Sequence, residues 1–362
     1  MSRYLKHTYH VLLCALLFFI GTSPLEGMYL NKGIPLDLTH YCFFDLGPTN
    51  LAERCLDRHC WPMSLAPRIN INGQVIGNRG ERGFVWTKHQ GFITYSHDGY
   101  YTCFVDINND GTVLGMVKIN DEYSEWFLWT EHQCIREGRA PFLLCDKQYS
   151  NHVYLRALND HGNIVGARLD ECGCYRSIFW DEKKCIRDLP YPLLWDINNS
   201  NYMLGSEPME FREQPITWHI KGGMNVINDD RRFGKPYNIR SFFNPVIAED
   251  TSVYGNFIAN KWGSNYTYAY MWNACDAIFR PLDLNQMLIS SVNKCHVLVG
   301  TLQGQAVMSK NHGPPIPLVS LVINKPSGWQ LINATDINDK GQIVGWGRKS
   351  GEIRFFMLDP IR

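Results

Sequence analysis

A nine-residue phrase that returns seven times limits this chain more tightly than any other feature. The clearest copy reads Ile337-Asn338-Asp339-Lys340-Gly341-Gln342-Ile343-Val344-Gly345. The others begin at Ile69, Ile107, Leu158, Ile197, Ile247 and Val292, and the closing glycines fall at 77, 115, 166, 205, 255, 300 and 345. Successive closing glycines are 38 to 51 residues apart, the spacing of solenoids and propellers. Each copy sets a polar cluster between two short apolar runs, the pattern of a tight hairpin whose fifth residue takes a left-handed backbone. Gly73, Gly111, Gly162 and Gly341 fill that slot, and Asn201 replaces glycine in the fourth copy; asparagine is the next residue to tolerate it. Thr251 and His296 suit the slot less well, which predicts remodelled turns there. The closing glycine predicts a bulge or a close backbone approach.

After each phrase comes an aromatic strand, as in Gly83-Phe84-Val85-Trp86, Trp126-Phe127-Leu128-Trp129 and Ser177-Ile178-Phe179-Trp180. A polar turn, a further apolar run such as Cys185 to Leu189, and a fourth run leading into the next phrase complete the unit. Four short strands in roughly 45 residues make a propeller blade, and a tryptophan recurring in one strand slot is packing between blades. Tyr41-Cys42-Phe43-Phe44-Asp45-Leu46-Gly47 looks like a fourth strand without its first three, whereas the seventh copy supplies only three strands. The expected architecture is all-β: a seven-bladed β-propeller of four-stranded blades, closed by an N-terminal strand joining the last blade, which leaves no exposed sheet edges at the seam.

The phrase, the aromatic strand and the Asp-Leu-Gly ending at Asp45-Leu46-Gly47 resemble the bacterial extracellular HAF repeats. None of the copies spells the His-Ala-Phe triplet; Tyr268-Ala269-Tyr270 and Gln305-Ala306-Val307 come nearest. The resemblance covers roughly residues 41 to 358. It implies secretion and a propeller-like fold, and carries over no catalytic residues.

Residues 1–27 read as a signal peptide: Arg3 and Lys6 precede an apolar core from Val11 to Ile20, which Gly21 to Pro24 ends. That core is short for a bilayer span and suits a secretory signal, leaving 28–362 as a single propeller, exported to the periplasm, cell surface or medium. No second stretch is apolar enough to cross a membrane. The 35 basic and 35 acidic residues give a formal charge of +0, without the basic footprint of a nucleic-acid binder. Of the twelve cysteines, Cys14 falls in the signal. In an exported chain some of the rest should pair, the sequence-local candidates being Cys55 with Cys60, Cys134 with Cys145 and Cys174 with Cys185.

Length variation concentrates away from the phrase, in Pro48 to Leu65, Arg136 to Asn151, Asn228 to Ser241 and Asn256 to Tyr266. A rim of fixed length opposite one of variable length is the usual display of binding loops. Arg231, Arg232, Lys235 and Tyr237, with Arg240, form a basic, aromatic-containing stretch, and Trp61, Trp262 and Tyr266 lie in the same set of loops. Such side chains suit a glycan, an anionic group or a protein partner. Asp106 to Gly111 opens like a calcium loop, yet Val117 stands where the bidentate glutamate belongs. Cys55, His59 and Cys60 lack a second zinc-ligand pair. No cofactor, metal or catalytic motif is expected. The sequence favours a non-enzymatic propeller binding a protein or carbohydrate through its variable rim. A glycoside hydrolase or lyase with acids at the channel mouth, and a structural envelope component, are the alternatives.

Overall fold

The computed structural model describes residues 39–361, apart from 57–63, 97–98, 120–123, 132–141, 144–152, 171, 173, 182–185, 190–192, 209–212, 220, 228–237, 262–263, 274–276, 285 and 325. The chain forms seven four-stranded antiparallel sheets, each a blade: 68–95, 101–143, 153–189, 193–226, 238–282, 288–317 and, for the seventh, 329–360 with 41–48. First strands of successive blades are neighbours all the way round, so they line the axis. The second and third strands are covered on both faces. Val75–Arg79 and Val113–Lys118 are therefore almost continuously buried, as expected of strands packed on two sides. The fourth strand Gly91–Tyr95 instead alternates between exposed and half-buried residues, as an outermost strand does.

The ring closes as the sequence implies. Tyr41–Pro48 pairs antiparallel with Glu352–Pro360, Tyr41 opposite Pro360 and Phe44 opposite Met357. The core is divided among the interfaces between blades. Leu46, Val75, Phe84, Trp86, Val344 and Trp346 fill the wedge between the seventh blade and the first. Val246, Tyr254, Leu284, Met287 and Leu298 fill that between the fifth and sixth. Trp86, Trp129, Trp180 and Trp272 are buried at their strand slots, as packing requires.

All seven phrase turns share one backbone geometry. The fifth residue donates its N–H to the carbonyl of the second in every copy, from Gly73 to Asn70 at 3.1 Å through Gly341 to Asn338 at 3.0 Å. Thr251 (φ 68°) and His296 (φ 54°) adopt the same left-handed conformation as Gly111 (φ 81°). The expectation of remodelled turns at those two positions is thus corrected: the hairpin ladder on either side holds the turn, and the residue bears the steric cost. The closing glycines have ordinary φ and serve close approach instead. A Cβ on Gly166 would lie 2.2 Å from the Tyr154 carbonyl oxygen, and one on Gly345 2.1 Å from that of Asn333. Opposite these glycines the first strand carries its bulge, between Leu155 and Ala157 and between Ala334 and Asp336.

The second residue of the phrase does more than turn the chain. The Asn70 side-chain oxygen accepts the N–H groups of Asn72 and Gln74, both at 3.0 Å, closing its own hairpin. Its amide donates to the Asn108 carbonyl in the next blade at 3.0 Å. The pattern continues from Asn108 to Asn159, Asn159 to Asn198, Asn198 to Ala248, Asn293 to Asn338, and from Asn338 back to Asn70 at 2.8 Å. A ring of buried amide latches thus runs around one rim. It has a single gap, at Ala248, where no amide exists to reach Asn293. Lower in the blades, Asn78 and Asn256 form a second kind of staple. Asn256 donates to the Met287 carbonyl at 2.7 Å and accepts the Ile289 N–H at 2.9 Å.

Candidate functional site

Strand direction places the phrase turns at one rim and the hairpins between second and third strands at the other. Blade five departs most from its neighbours at that second rim. Its first three strands, Asn238–Ile247, Ser252–Lys261 and Ser264–Asn273, have ten residues each, whereas the blade-six strands Val297–Leu302 and Gln305–Lys310 have six. Asn256 to Tyr266, expected as a loop, is therefore mostly strand: Asn260 pairs with Asn265 and Ala259 with Tyr266. Partnering by Asn238 and Ile239 extends the ladder that far. The backbone bonds of the added pairs outweigh the weak strand preference of the asparagines.

Tyr266 sits on this extension with 38% of its surface exposed, flanked by exposed Ser264 and Asn265. Its ring lies 6.4 Å from that of Tyr268, which stacks on buried Phe257 at 5.2 Å. Phe257 in turn packs 5.5 Å from Phe279. A line of aromatic rings thus runs from the blade core to an exposed tyrosine at the rim. The other residues singled out from the sequence, Trp61, Arg231, Arg232, Lys235, Tyr237 and Trp262, lie outside the described residues. Tyr266 is placed without them. Cys55 and Cys174 are free thiols here, as are Cys42, Cys172 and Cys295; Cys60, Cys134, Cys145 and Cys185 lie outside the described residues.

A second constellation surrounds the axis, one residue before the phrase. That slot holds Arg68, Asp106, Asp196, Ser291 and Asp336 in blades one, two, four, six and seven. Asp336 accepts the Ile69 N–H of blade one at 3.0 Å and the Ser291 hydroxyl of blade six at 2.7 Å. Asp106 accepts the Leu158 N–H of blade three at 2.8 Å. Burial pushes the Asp106 carboxyl up to about 6; Arg68 and the Leu158 N–H work against that, while Asp196 and Asp336 add to it. Asp106 lies deep in the ring yet keeps partial exposure toward the axis, so solvent there tempers the effect of burial. Among the described residues no three His, Cys, Asp or Glu side chains are grouped to hold a metal ion.

These acids escape sequence reading because only three of the seven copies carry one. The signal that would find them is the register itself, aligned one residue upstream of the phrase. A carboxyl that titrates above its unfolded value costs stability at neutral pH and nothing once both states are protonated. Asp106→Asn, which keeps an acceptor for Leu158, should therefore stabilise the protein by roughly 1–2 kcal/mol at neutral pH. That gain should shrink as pH falls from about 6 toward about 4. Urea denaturation across that range checks it. A variant weaker than the parent at neutral pH would show that attraction to Arg68 outweighs burial.

No known family pattern matches the chain, and no curated protein matches it. Solved structures do. The virginiamycin B lyase of Staphylococcus aureus aligns with 89% of this chain and 100% of its own, at 12% identity and a TM-score of 0.52. An oligogalacturonate lyase in complex with manganese aligns over 80% of this chain and 86% of its own, at 11% identity and a TM-score of 0.53. The extracellular domain of a protein assigned as a hybrid two component system from B. thetaiotaomicron aligns with 88% of this chain at 11% identity and a TM-score of 0.50. This chain spans 40% of that one. At such identities the likeness establishes the propeller fold alone. No described helix is long and apolar enough to cross a membrane.

Proposed function

We propose that this protein is an exported propeller of the HAF-repeat type that binds a protein or carbohydrate ligand through its variable rim, with the blade-five hairpin as the main contact. The observation that carries this reading is Tyr266, an exposed ring linked through half-buried Tyr268 to the buried ring of Phe257. An aromatic side chain held by its neighbours gives contact area with little entropy left to lose, the property of interface anchors and of sugar-stacking platforms. The extracellular domain among the similar folds is in keeping with export. The test is a glycan array and a panel of surface proteins probed with the chain lacking residues 1–27. A ligand found there should lose about tenfold or more in affinity with Tyr266→Ala. Retained affinity would move the contact elsewhere on the rim.

One observation favours a second reading, a hydrolase or lyase acting at the axis. Asp106, with a carboxyl near neutral in its titration, has the property of a general acid. Two lyases among the similar folds agree with it in class. Against it, Asp336 is occupied by Ile69 and Ser291, and Asp106 by Leu158. These acids also stand beside the phrase turns, at the rim opposite Tyr266. Breakdown of a polysaccharide that Asp106→Asn abolishes, without loss of binding, would support the enzyme.

A further inference from the structure

The gap in the amide ring at Ala248 is filled by chemistry found at none of the other joints described. Tyr254 of blade five, fully buried, presents its hydroxyl to two imidazoles of blade six: His296 Nδ1 at 2.7 Å and His312 Nε2 at 3.2 Å. His296 Nε2 lies 3.4 Å from Asp250 Oδ2. Asp250 is itself fixed by the Ser252 N–H at 2.9 Å and the Ser252 hydroxyl at 3.0 Å. The four side chains form one line, Asp250–His296–Tyr254–His312, across the rim where an asparagine would otherwise bind. With no exposed surface, the Tyr254 hydroxyl has no access to substrate, so the line joins blades rather than performing catalysis.

Proton counting fixes what this line tolerates. With both imidazoles neutral, His296 keeps its proton on Nε2, 3.4 Å from the Asp250 carboxylate. It must then accept the Tyr254 proton at Nδ1, leaving His312 to donate Nε2–H to the phenol oxygen. One added proton makes His296 an imidazolium paired with Asp250. The phenol then turns and accepts from His296, and once His312 has exchanged its Nε2 proton for one on Nδ1, its Nε2 accepts from the phenol and every contact survives. A second proton puts an N–H on both nitrogens facing the phenol. The phenol proton loses its acceptor, and two cations face one another across a single oxygen. The other ionisable groups on these turns do not relieve this. Glu249 accepts the Asn199 N–H, Lys294 pairs with Asp339 at 3.7 Å, and Lys310 and Cys295 are exposed.

We propose that the joint between blades five and six is an acid-sensitive latch at the phrase rim, closed while at most one of His296 and His312 is charged and loosened when both are. The staple from Asn256 to Met287 and Ile289 contains no titrating group, so the loosening is confined to that rim. Burial, and then His296, lower the His312 value. The folded chain thus takes the second proton less readily than the unfolded chain does. The latch contributes fully above the ordinary imidazole value of about 6.5 and is lost as pH falls below it.

Hydrogen exchange on the whole chain, corrected for intrinsic rates, tests this with the remaining phrase turns as internal controls. Protection of the Thr251 and His296 amides should fall about tenfold further than that of Gly111 or Gly341 between about pH 7.5 and about pH 5. His312→Gln should remove the difference, and so should Ala248→Asn, which supplies the missing amide. Should His312→Gln not fold, the parent protein and Ala248→Asn still decide the matter. Equal loss of protection at all seven turns, or the same excess loss in Ala248→Asn, would overturn the proposal.

Discussion

Replacing Gly300 by alanine should cost at least about 3 kcal/mol and leave the protein largely unfolded at moderate urea. A Cβ there would stand 1.9 Å from the Leu288 carbonyl oxygen and 3.0 Å from its carbon. Those atoms belong to the bulged first strand of blade six, between Ile289 and Ser291, and backbone has no rotamer by which to move aside. Gly255→Ala is the instructive comparison. Its new methyl meets the Tyr270 ring at 2.8 Å, a side chain that can shift by rotating, so the loss should be clearly smaller. Equal losses in urea denaturation would show that the two positions fail for a shared reason, strand entropy and not contact.

Asn338→Ala should be the second most damaging of the changes considered, at roughly 2–4 kcal/mol. One buried side chain makes four bonds. Its amide donates to the Asn70 carbonyl at 2.8 Å and the Gln342 side chain at 2.7 Å. Its oxygen accepts the N–H groups of Lys340 and Gln342, both at 3.0 Å. Alanine leaves the Asn70 carbonyl with the Gly73 N–H as its one remaining donor and releases the turn of the blade that closes the ring. Lys340→Ala, at an exposed position of the same turn, should stay within about 0.5 kcal/mol of the parent. Thermal and urea denaturation of the pair separate the latch from the turn; comparable losses would remove the case for a latch.

Both residues come from the phrase, and they show how far a repeat can be read. The glycine at the end of each phrase was legible as a point of close approach because no other residue type serves there. Asparagine at the second position was legible only as a turn former. The same side chain closes its own hairpin with its oxygen and reaches the next blade with its nitrogen, and residue type does not distinguish one task from two. Thr251 and His296 misled in the other direction. Local preference argued against positive φ there, and the surrounding ladder imposes it regardless. Asn256 to Tyr266 read as a loop because length variation concentrates there. Pairing with Asn238 and Ile239, distant in sequence, makes most of it strand.

By itself the sequence determined the number of blades, the strands in each and the closure by Tyr41–Pro48, because a hairpin period and an unmatched strand are local facts repeated along the chain. Only the tertiary structure decided which polar groups meet. Asp336 reaches Ile69, Asn338 reaches Asn70, and Tyr254 reaches His296 and His312. Those contacts depend on the angle at which one blade is set against the next. That angle is set by the packing of the apolar wedges between blades, a property of pairs of surfaces that no single segment records.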